Sequence, residues 1–176
     1  MIVSRTQTLV TGMHRSGKST FAETQLDDYN YFATLEPTDT HRQKIEEHRK
    51  RRGENCKVYE AVASVPDDLE GLQGLVDDSK GLIFDGLTVY LLRVYKSVLW
   101  DLELWLHLSE QFINGLCTTL KCSNISWAVV DICSHGLDRF GSDVRSVNEY
   151  THQRIASLPG TQHVALCSQC RCKEPL

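Results

Sequence analysis

Short apolar runs alternate along the chain with longer segments in which apolar residues recur at helical spacing. The runs have the lengths typical of strands, and the longer segments have the periodicity of helices. The predicted strands are residues 7–11, 29–34, 56–62, 81–87, 125–132 and 162–168. The predicted helices are residues 16–26, 39–52, 65–78, a long region after residue 87, and 143–158. This rhythm predicts an α/β fold in which helices flank a mainly parallel sheet.

Two helix starts carry residues that favour that position. Asp39 is expected to cap the polar second helix, since its side chain can accept a hydrogen bond from a backbone N–H of the first turn. Pro66 lies at the start of the third helix, where its missing N–H costs no hydrogen bond. Aromatic residues in apolar stripes usually pack in a core or a subunit contact rather than against a ligand. We expect a core or subunit-contact position for Trp100, Trp105 and Trp127.

The composition is that of an ordinary globular protein. Hydrophobic residues make up 41% of the 176 residues and charged residues 24%, which fits one domain over residues 1–176. The formal net charge of -4 gives no reason to expect nucleic acid as a partner. The most apolar stretch, residues 86–108, is interrupted by charged side chains, which predicts no membrane span. Because no targeting segment is visible, the sequence predicts a cytoplasmic protein.

The seven cysteines are an odd number in a chain with no secretion signal, so a disulfide framework is not expected. Three of them, Cys167, Cys170 and Cys172, lie in the segment CSQCRC, and the first two form a CxxC pair. A CxxC pair could bind zinc or carry out redox chemistry. A structural zinc site needs four ligands, however, and no second pair stands at the usual spacing. The alternative is a last strand and tail that are rich in cysteine.

The segment between the first strand and the first helix combines glycines, hydroxyl groups and a lysine. Residues 12–19, GMHRSGKS, match the pattern GxxxxGK[ST] in full. Glycines let backbone N–H groups point at phosphate oxygens, while Lys18 can reach the terminal phosphates and Ser19 can ligate Mg²⁺. A plain turn is the alternative, but the strand and helix that a phosphate loop requires are both predicted. The predicted nucleotide-binding residues of this loop are Gly12, Met13, His14, Arg15, Ser16, Gly17, Lys18, Ser19 and Thr20.

A metal ion at such a loop needs a second oxygen ligand, normally a carboxylate at the end of another strand. Asp85 and Asp131 each follow three apolar strand residues, so both have this placement. We favour Asp85 as the metal ligand beside Ser19. The alternative for either acid is that it caps a neighbouring helix.

Further segments occur in the order found in one enzyme family. They are the loop with RSGKS at 15–19, FAE at 21–23, YFAT at 31–34, KIEEHRKRR at 44–52, Glu60, DGLT at 85–88 and QRIA at 153–156. With these motifs the chain resembles the bifunctional adenosylcobinamide kinase / adenosylcobinamide-phosphate guanylyltransferase of cobalamin synthesis. The resemblance spans nearly the whole chain and is most specific over residues 8–60 and 83–91.

This resemblance implies a P-loop fold of the RecA-like type and a homotrimer. It implies a transferase that phosphorylates adenosylcobinamide and then moves GMP from GTP onto the new phosphate through a guanylated histidine. The implied substrates are GTP, ATP or both, with a corrinoid as the small-molecule partner and Mg²⁺ as cofactor. Outside the loop, the matched nucleotide-binding residues are Thr34, Arg49, Arg52, Glu60 and Asp85.

His48 matches the histidine that the family guanylates, and we predict it as a catalytic residue beside Lys18. A neutral imidazole is a competent nucleophile at physiological pH, and a phosphoramidate can pass its nucleotide on. The arginines and lysines around it can offset triphosphate charge. The alternative is a solvated basic helix that carries an incidental histidine.

The chain departs from the family pattern in its last third. Asp131 stands where the family has asparagine, Ile132 where it has glutamate, and His152 where it has asparagine. An isoleucine can neither accept a proton nor bind a metal. Two alternatives to the bifunctional enzyme follow. One is a P-loop kinase-like protein that acts on another substrate, and the other is a nucleotide-binding regulator without transferase activity.

Overall fold

One parallel sheet organises the computed structural model, which describes residues 5–52, 55–77 and 79–166. Its strands in the described residues are β1 (Gln7–Gly12), β2 (Tyr29–Ala33), β3 (Val58–Glu60), β4 (Gly81–Asp85), β5 (Trp127–Ile132) and β6 (Gln162–Ala165). They are hydrogen-bonded in the order β3-β2-β4-β5-β1-β6, and every pair is parallel. The predicted α/β fold with a parallel sheet is therefore confirmed.

The strand order places β5 between β1 and β4. The phosphate loop follows β1, so one strand separates the loop from the strand that ends in Asp85. This insertion is the predicted RecA-like arrangement. Because all six strands point the same way, their carboxyl ends meet at one edge, which is where open α/β sheets bind ligands.

Helices cover both faces of the sheet. They are α1 (Lys18–Thr24), α2 (Arg42–Arg51), α3 (Val65–Leu75), α4 (Leu87–Ser97), α5 (Leu102–Cys122) and α6 (Ser142–Ala156), with 3-10 helices at Asp39–His41 and Ser134–Phe140. Side chains of a strand alternate between the faces, so two cores form. The larger core includes Phe32 and Phe84, whose rings stack 4.5 Å apart under α3, α4 and α5. The smaller core, with Val10 and Ile83, lies under α1.

The long helical region after residue 87 is two helices. Leu99 and Trp100 interrupt it, with φ angles of 55° and 65° that a continuing helix does not allow. Asp101 then starts α5, because its side chain accepts a hydrogen bond from the N–H of Leu104 at 3.0 Å. Trp105 and Trp127 are core residues, whereas Trp100 is 60% exposed.

The expectation that Asp39 caps the second helix is wrong. Asp39 lies inside the first 3-10 helix, and His41 is the residue that precedes α2. The Asp39 carboxylate instead accepts a hydrogen bond from Arg42 Nη2 at 2.7 Å. The chain enters α2 through a tighter turn than the sequence pattern indicated.

The expectations about the cysteines and about membrane spans can be compared only with the residues that the structure describes. The cysteines of the CSQCRC segment, and the end of the last predicted strand, lie outside the described residues. The cysteines that the structure describes are not joined by disulfides. In residues 5–52, 55–77 and 79–166, no helix has both the length and the apolar character that crossing a bilayer requires.

Candidate functional site

The loop between β1 and α1 has the backbone shape of a phosphate cradle. Arg15 and Gly17 have positive φ angles, 61° and 84°, which turn the chain sharply before α1 begins. Gly12 cannot be replaced without movement, since an added Cβ would lie 2.6 Å from Ser16 Oγ and 2.9 Å from the Leu166 carbonyl oxygen. The glycines are therefore required by close approach and by conformation.

The side chains of the loop are placed for an anion. Lys18 Nζ curls back and donates to the carbonyl oxygen of Met13 at 2.6 Å, which holds the ammonium group over the loop. Ser16 Oγ is buried and has no hydrogen-bond partner among the described residues. A buried hydroxyl of this kind is costly unless a ligand satisfies it. The residues present thus fit a bound phosphate chain.

Asp85 ends β4 directly beside the loop. Ser19 Oγ donates to Asp85 Oδ1 at 3.1 Å, so the two residues predicted as metal ligands are in contact. Gly86, with φ at 93°, turns the chain into α4. Thr34 Oγ1 lies 2.7 Å from the Asp85 carbonyl oxygen and ties the ends of β2 and β4 together. Hydroxyl and carboxylate oxygens are suitable ligands for Mg²⁺.

Asp131, the rival candidate, faces the opposite side of the sheet and is 1% exposed. Its carboxylate accepts from the N–H and hydroxyl of Thr88 at 2.8 Å each, in the first turn of α4. Asn148 Nδ2 and His152 Nε2 lie 3.2 and 3.0 Å from Asp131 Oδ2. The carboxylate therefore caps α4 and joins it to α6.

This network leads to a prediction about stability. Asp131→Ala would leave the buried N–H of Thr88 unsatisfied and remove one acceptor from Asn148 and His152, so we expect it to lower the free energy of unfolding by about 3 kcal/mol. Asp131→Asn keeps one acceptor oxygen and should lose roughly half as much. Urea unfolding measures both values. A folded Asp131→Asn protein that no longer binds Mg-nucleotide would instead make Asp131 the metal ligand.

Four side chains from separate segments meet beside the loop: Glu23 of α1, Tyr31 of β2, His48 of α2 and Asp85. Tyr31 donates a short hydrogen bond to Asp85 Oδ2, and its hydroxyl oxygen is 3.3 Å from His48 Nδ1. The same His48 nitrogen lies 3.8 Å from Glu23 Oε1 and 3.8 Å from Asp85 Oδ2. His48 is 9% exposed, so its side chain is buried against the sheet rather than solvated.

Arginines surround this cluster. Arg51 binds Glu23 through Nε at 2.9 Å and Nη2 at 3.4 Å. The guanidinium carbon of Arg52 lies 3.6 Å from the centre of the Tyr31 ring, a cation–π contact. Arg49 is half exposed and pairs with Glu60 at 2.7 Å. Positive charge is therefore held at the rim of the site.

Burial shifts the proton equilibria of the cluster. Burial raises the pKa of Tyr31 well above its usual range, and the negative charge of Asp85 raises it further. The hydroxyl therefore keeps its proton at neutral pH. Burial also raises the pKa of Glu23, although the hydrogen bond from Arg51 opposes this change.

A cavity opens between β2, α2 and the start of α4. Its lining includes Tyr31, Thr34, His48, Arg52, Glu60 and Asp85. All of these except Tyr31 were predicted from the sequence as site residues. Asp85 lines the cavity and also contacts Ser19, so the cavity adjoins the end of the phosphate loop.

The predicted residues thus form one site, with some at its margin. His14 lies in the loop and Thr20 lies on α1, while Arg49 faces outward to Glu60. Sequence inspection missed Tyr31 and Glu23 as neighbours of His48, and Arg51 as the partner of Glu23. The signal that could have found Tyr31 is its position, since Tyr29 and Tyr31 put hydroxyl groups on alternate residues, and so on one face, of a buried strand.

No group of three or more histidine, cysteine, aspartate or glutamate side chains within the described ranges could hold a metal ion. Ser19 and Asp85 supply only two protein ligands. A Mg²⁺ ion at this site would therefore need oxygens from a bound nucleotide or from water, as Mg²⁺ commonly does.

Comparisons with known proteins identify a family. The family model described as cobinamide kinase / cobinamide phosphate guanyltransferase matches residues 8–131. The comparison with curated proteins found no match. Among solved structures, a KaiC-like protein from the hyperthermophilic archaeon Pyrococcus horikoshii OT3 matches with a TM-score of 0.47 and 17% identity. That match covers 77% of this chain and 67% of the archaeal one.

Proposed function

The chain belongs to the cobinamide kinase / cobinamide phosphate guanyltransferase family, and from this premise we propose that it carries out both reactions at one site. It would phosphorylate adenosylcobinamide and transfer GMP from GTP to adenosylcobinamide phosphate, with His48 as the guanylated residue. The observation that carries the proposal is the position of His48. It lies in the cavity beside Asp85, which contacts Ser19 of the phosphate loop.

The kinase half of the proposal uses the loop. Backbone N–H groups of residues 12–19, together with Lys18, would hold the triphosphate of ATP or GTP. Lys18 would leave the Met13 carbonyl and stabilise charge on the transferred phosphoryl group. Ser19 and Asp85 would hold Mg²⁺, which neutralises charge on the phosphates when it is bound.

The guanylyltransferase half uses His48. A nucleophile must approach the α-phosphorus of GTP, and the acids around His48 would stabilise the positive charge that the imidazole gains on attack. Arg52 and Arg49 at the cavity rim would offset the charge of the departing pyrophosphate. Thr34 and Glu60 complete the lining of the nucleotide side.

A two-stage labelling experiment tests the function. Wild-type protein incubated with Mg²⁺ and [α-³²P]GTP should retain acid-labile, base-stable label, as expected of a phosphoramidate. Adenosylcobinamide phosphate added afterwards should remove the label into a soluble product. Label that stays on the protein with every corrinoid supplied would contradict the proposed acceptor.

A second candidate is a P-loop kinase that acts on a different alcohol. The family match ends at residue 131, and the chain after this point departs from the family pattern at Ile132 and His152. Mass spectrometry of products from adenosylcobinamide and Mg-nucleotide separates the two candidates, since the second predicts nucleotide binding without a phosphorylated corrinoid.

A homotrimer, with a corrinoid and a nucleotide as ligands, remains part of the proposal. Support comes from apolar side chains that stand exposed at the junction of α4 and α5. Leu99 is 88% exposed and Trp100 is 60% exposed, which is unusual for residues of this size outside a contact surface.

A further inference from the structure

The Tyr31 hydroxyl stands between two functional side chains. It donates to Asp85 Oδ2 on one side and lies 3.3 Å from His48 Nδ1 on the other. Tyr31 is 1% exposed, and Arg52 packs over its ring, so the hydroxyl is held in one place. A buried hydroxyl in contact with both a carboxylate and an imidazole fixes the direction of each hydrogen bond.

The hydrogens that each group carries decide the direction of both hydrogen bonds. A tyrosine has one hydroxyl hydrogen, and a carboxylate can only accept, so the hydrogen shared with Asp85 must come from Tyr31. The Tyr31 oxygen can then meet His48 Nδ1 only as an acceptor. Nδ1 must therefore carry the hydrogen. The carboxylates of Glu23 and Asp85, each 3.8 Å from Nδ1, favour the same arrangement.

We propose that Tyr31 is a positioning residue that holds His48 as the Nδ1–H tautomer and so makes Nε2 the nucleophilic nitrogen. The proposal rests on the proposed guanylation of His48 and specifies it at the level of the atom. In a neutral imidazole, the nitrogen without hydrogen has the available lone pair. Only Nε2 then has an electron pair for the α-phosphorus of GTP.

The reaction balances on these atoms. The Nε2 lone pair forms a bond to the α-phosphorus, and the bond from this phosphorus to the oxygen that bridges to the β-phosphorus breaks. The electron pair of the broken bond leaves on the bridging oxygen, as part of pyrophosphate. Nδ1 keeps its hydrogen throughout, so the ring becomes a positively charged phospho-imidazolium. Glu23 and Asp85 lie at the distance where they stabilise this charge.

Nitrogen NMR of the histidine side chains tests the tautomer directly, before any nucleotide is added. In wild-type protein at a pH where the ring is neutral, His48 Nδ1 should resonate as the hydrogen-bearing nitrogen and Nε2 as the bare one. A histidine in a short unstructured peptide gives the reference for an imidazole that no fixed hydrogen-bond partner holds in one tautomer. A wild-type His48 with its hydrogen on Nε2 would overturn the proposal, whatever any variant does.

Tyr31→Phe removes the hydroxyl and keeps the ring. His48 should then shift toward the tautomer mixture of a histidine in a short peptide, and the rate constant of guanylation should fall roughly 10- to 100-fold with little change in the KM for GTP. Tyr29→Phe is the matched control, because Tyr29 lies on the same face of β2 and its ring centre is 6.3 Å from that of Tyr31. It should change neither measurement.

The outcomes separate this inference from the proposed function. If Tyr31→Phe leaves the His48 tautomer unchanged, the positioning role is wrong even if the guanylation rate falls. If wild-type protein takes up no guanylyl label but shows the Nδ1–H tautomer, and Tyr31→Phe loses it, the positioning role stands and the proposed function fails.

Discussion

His48→Ala is expected to abolish covalent labelling by [α-³²P]GTP, with a loss of about 10³-fold or more relative to wild type. The alanine removes the only side chain of the proposed guanylyl bond, and the acids beside it cannot take its place as a stable carrier. Nucleotide binding should change by no more than about threefold, because the phosphate loop remains intact. Gel autoradiography after acid and after base treatment measures the label, and calorimetry measures the binding.

A matched control keeps this result specific. His107→Ala removes an exposed histidine of α5, on a face of the molecule that does not line the cavity. It should label as wild type does. Label that survives in His48→Ala at the wild-type level would show that another residue is the nucleophile. The kinase reaction of His48→Ala should persist, since it does not use the imidazole.

Lys18→Ala is expected to have the second-largest effect, a fall in kinase turnover of roughly 10²- to 10³-fold. The ammonium group donates to the Met13 carbonyl oxygen at 2.6 Å, and in the proposed function it leaves this oxygen to meet the terminal phosphates. Its loss removes a positive charge from the place where negative charge develops during transfer. Phosphorylated corrinoid is measured by mass spectrometry under saturating Mg-nucleotide.

Lys96→Ala is the control for this variant. Lys96 is an exposed lysine of α4, with Nζ 3.8 Å from Glu36, and an exposed pair of this kind contributes little to stability. It should leave turnover unchanged. The thermal midpoint of Lys18→Ala should remain close to that of wild type, so that lost turnover reflects lost chemistry. Wild-type turnover in Lys18→Ala would mean that the loop does not hold the reacting phosphates.

The phosphate loop could be predicted from the sequence because its requirements are local. Gly12, Gly17, Lys18 and Ser19 lie within eight consecutive residues, and the backbone conformation of each depends mainly on its neighbours. The strand before the loop and the helix after it follow from the hydrophobic period. The structure places all of these residues as the pattern required.

The pattern alone could not separate the surroundings of Asp85 and Asp131, because both end apolar strands. The register separates them, and Asp85 as the metal ligand stays a prediction. Asp85 pairs with Val130, so these two residues share a face of the sheet and the next residue, Asp131, points to the other. Ser19 lies on the Asp85 side. The hypothesis of a helix-capping acid is thus confirmed for Asp131, which caps α4.

The break between α4 and α5 was not predicted, although Asp101, a residue type that favours a helix start, lies at it. Leu99 and Trp100 adopt positive φ angles although neither is glycine, asparagine or aspartate, the residues that usually do so. Local preference favours a continuous helix there. The packing of Tyr95 against both Trp100 and Trp105, with ring centres 5.0 and 4.5 Å away, accompanies the turn. These ring contacts, which join α4, the turn and α5, outweigh the local preference for a continuous helix.

The alternation of strands and helices, the phosphate loop and the family resemblance could all be read from the chain, since each depends on residues that are close together or in a fixed order. The meeting of side chains at His48 could be seen only in the folded protein. Glu23, Tyr31 and Asp85 come from three segments, and their meeting depends on strand register and on the face of the sheet that each helix covers. Those choices are made by burying apolar surface over the whole sheet, a free energy that no short stretch of chain contains.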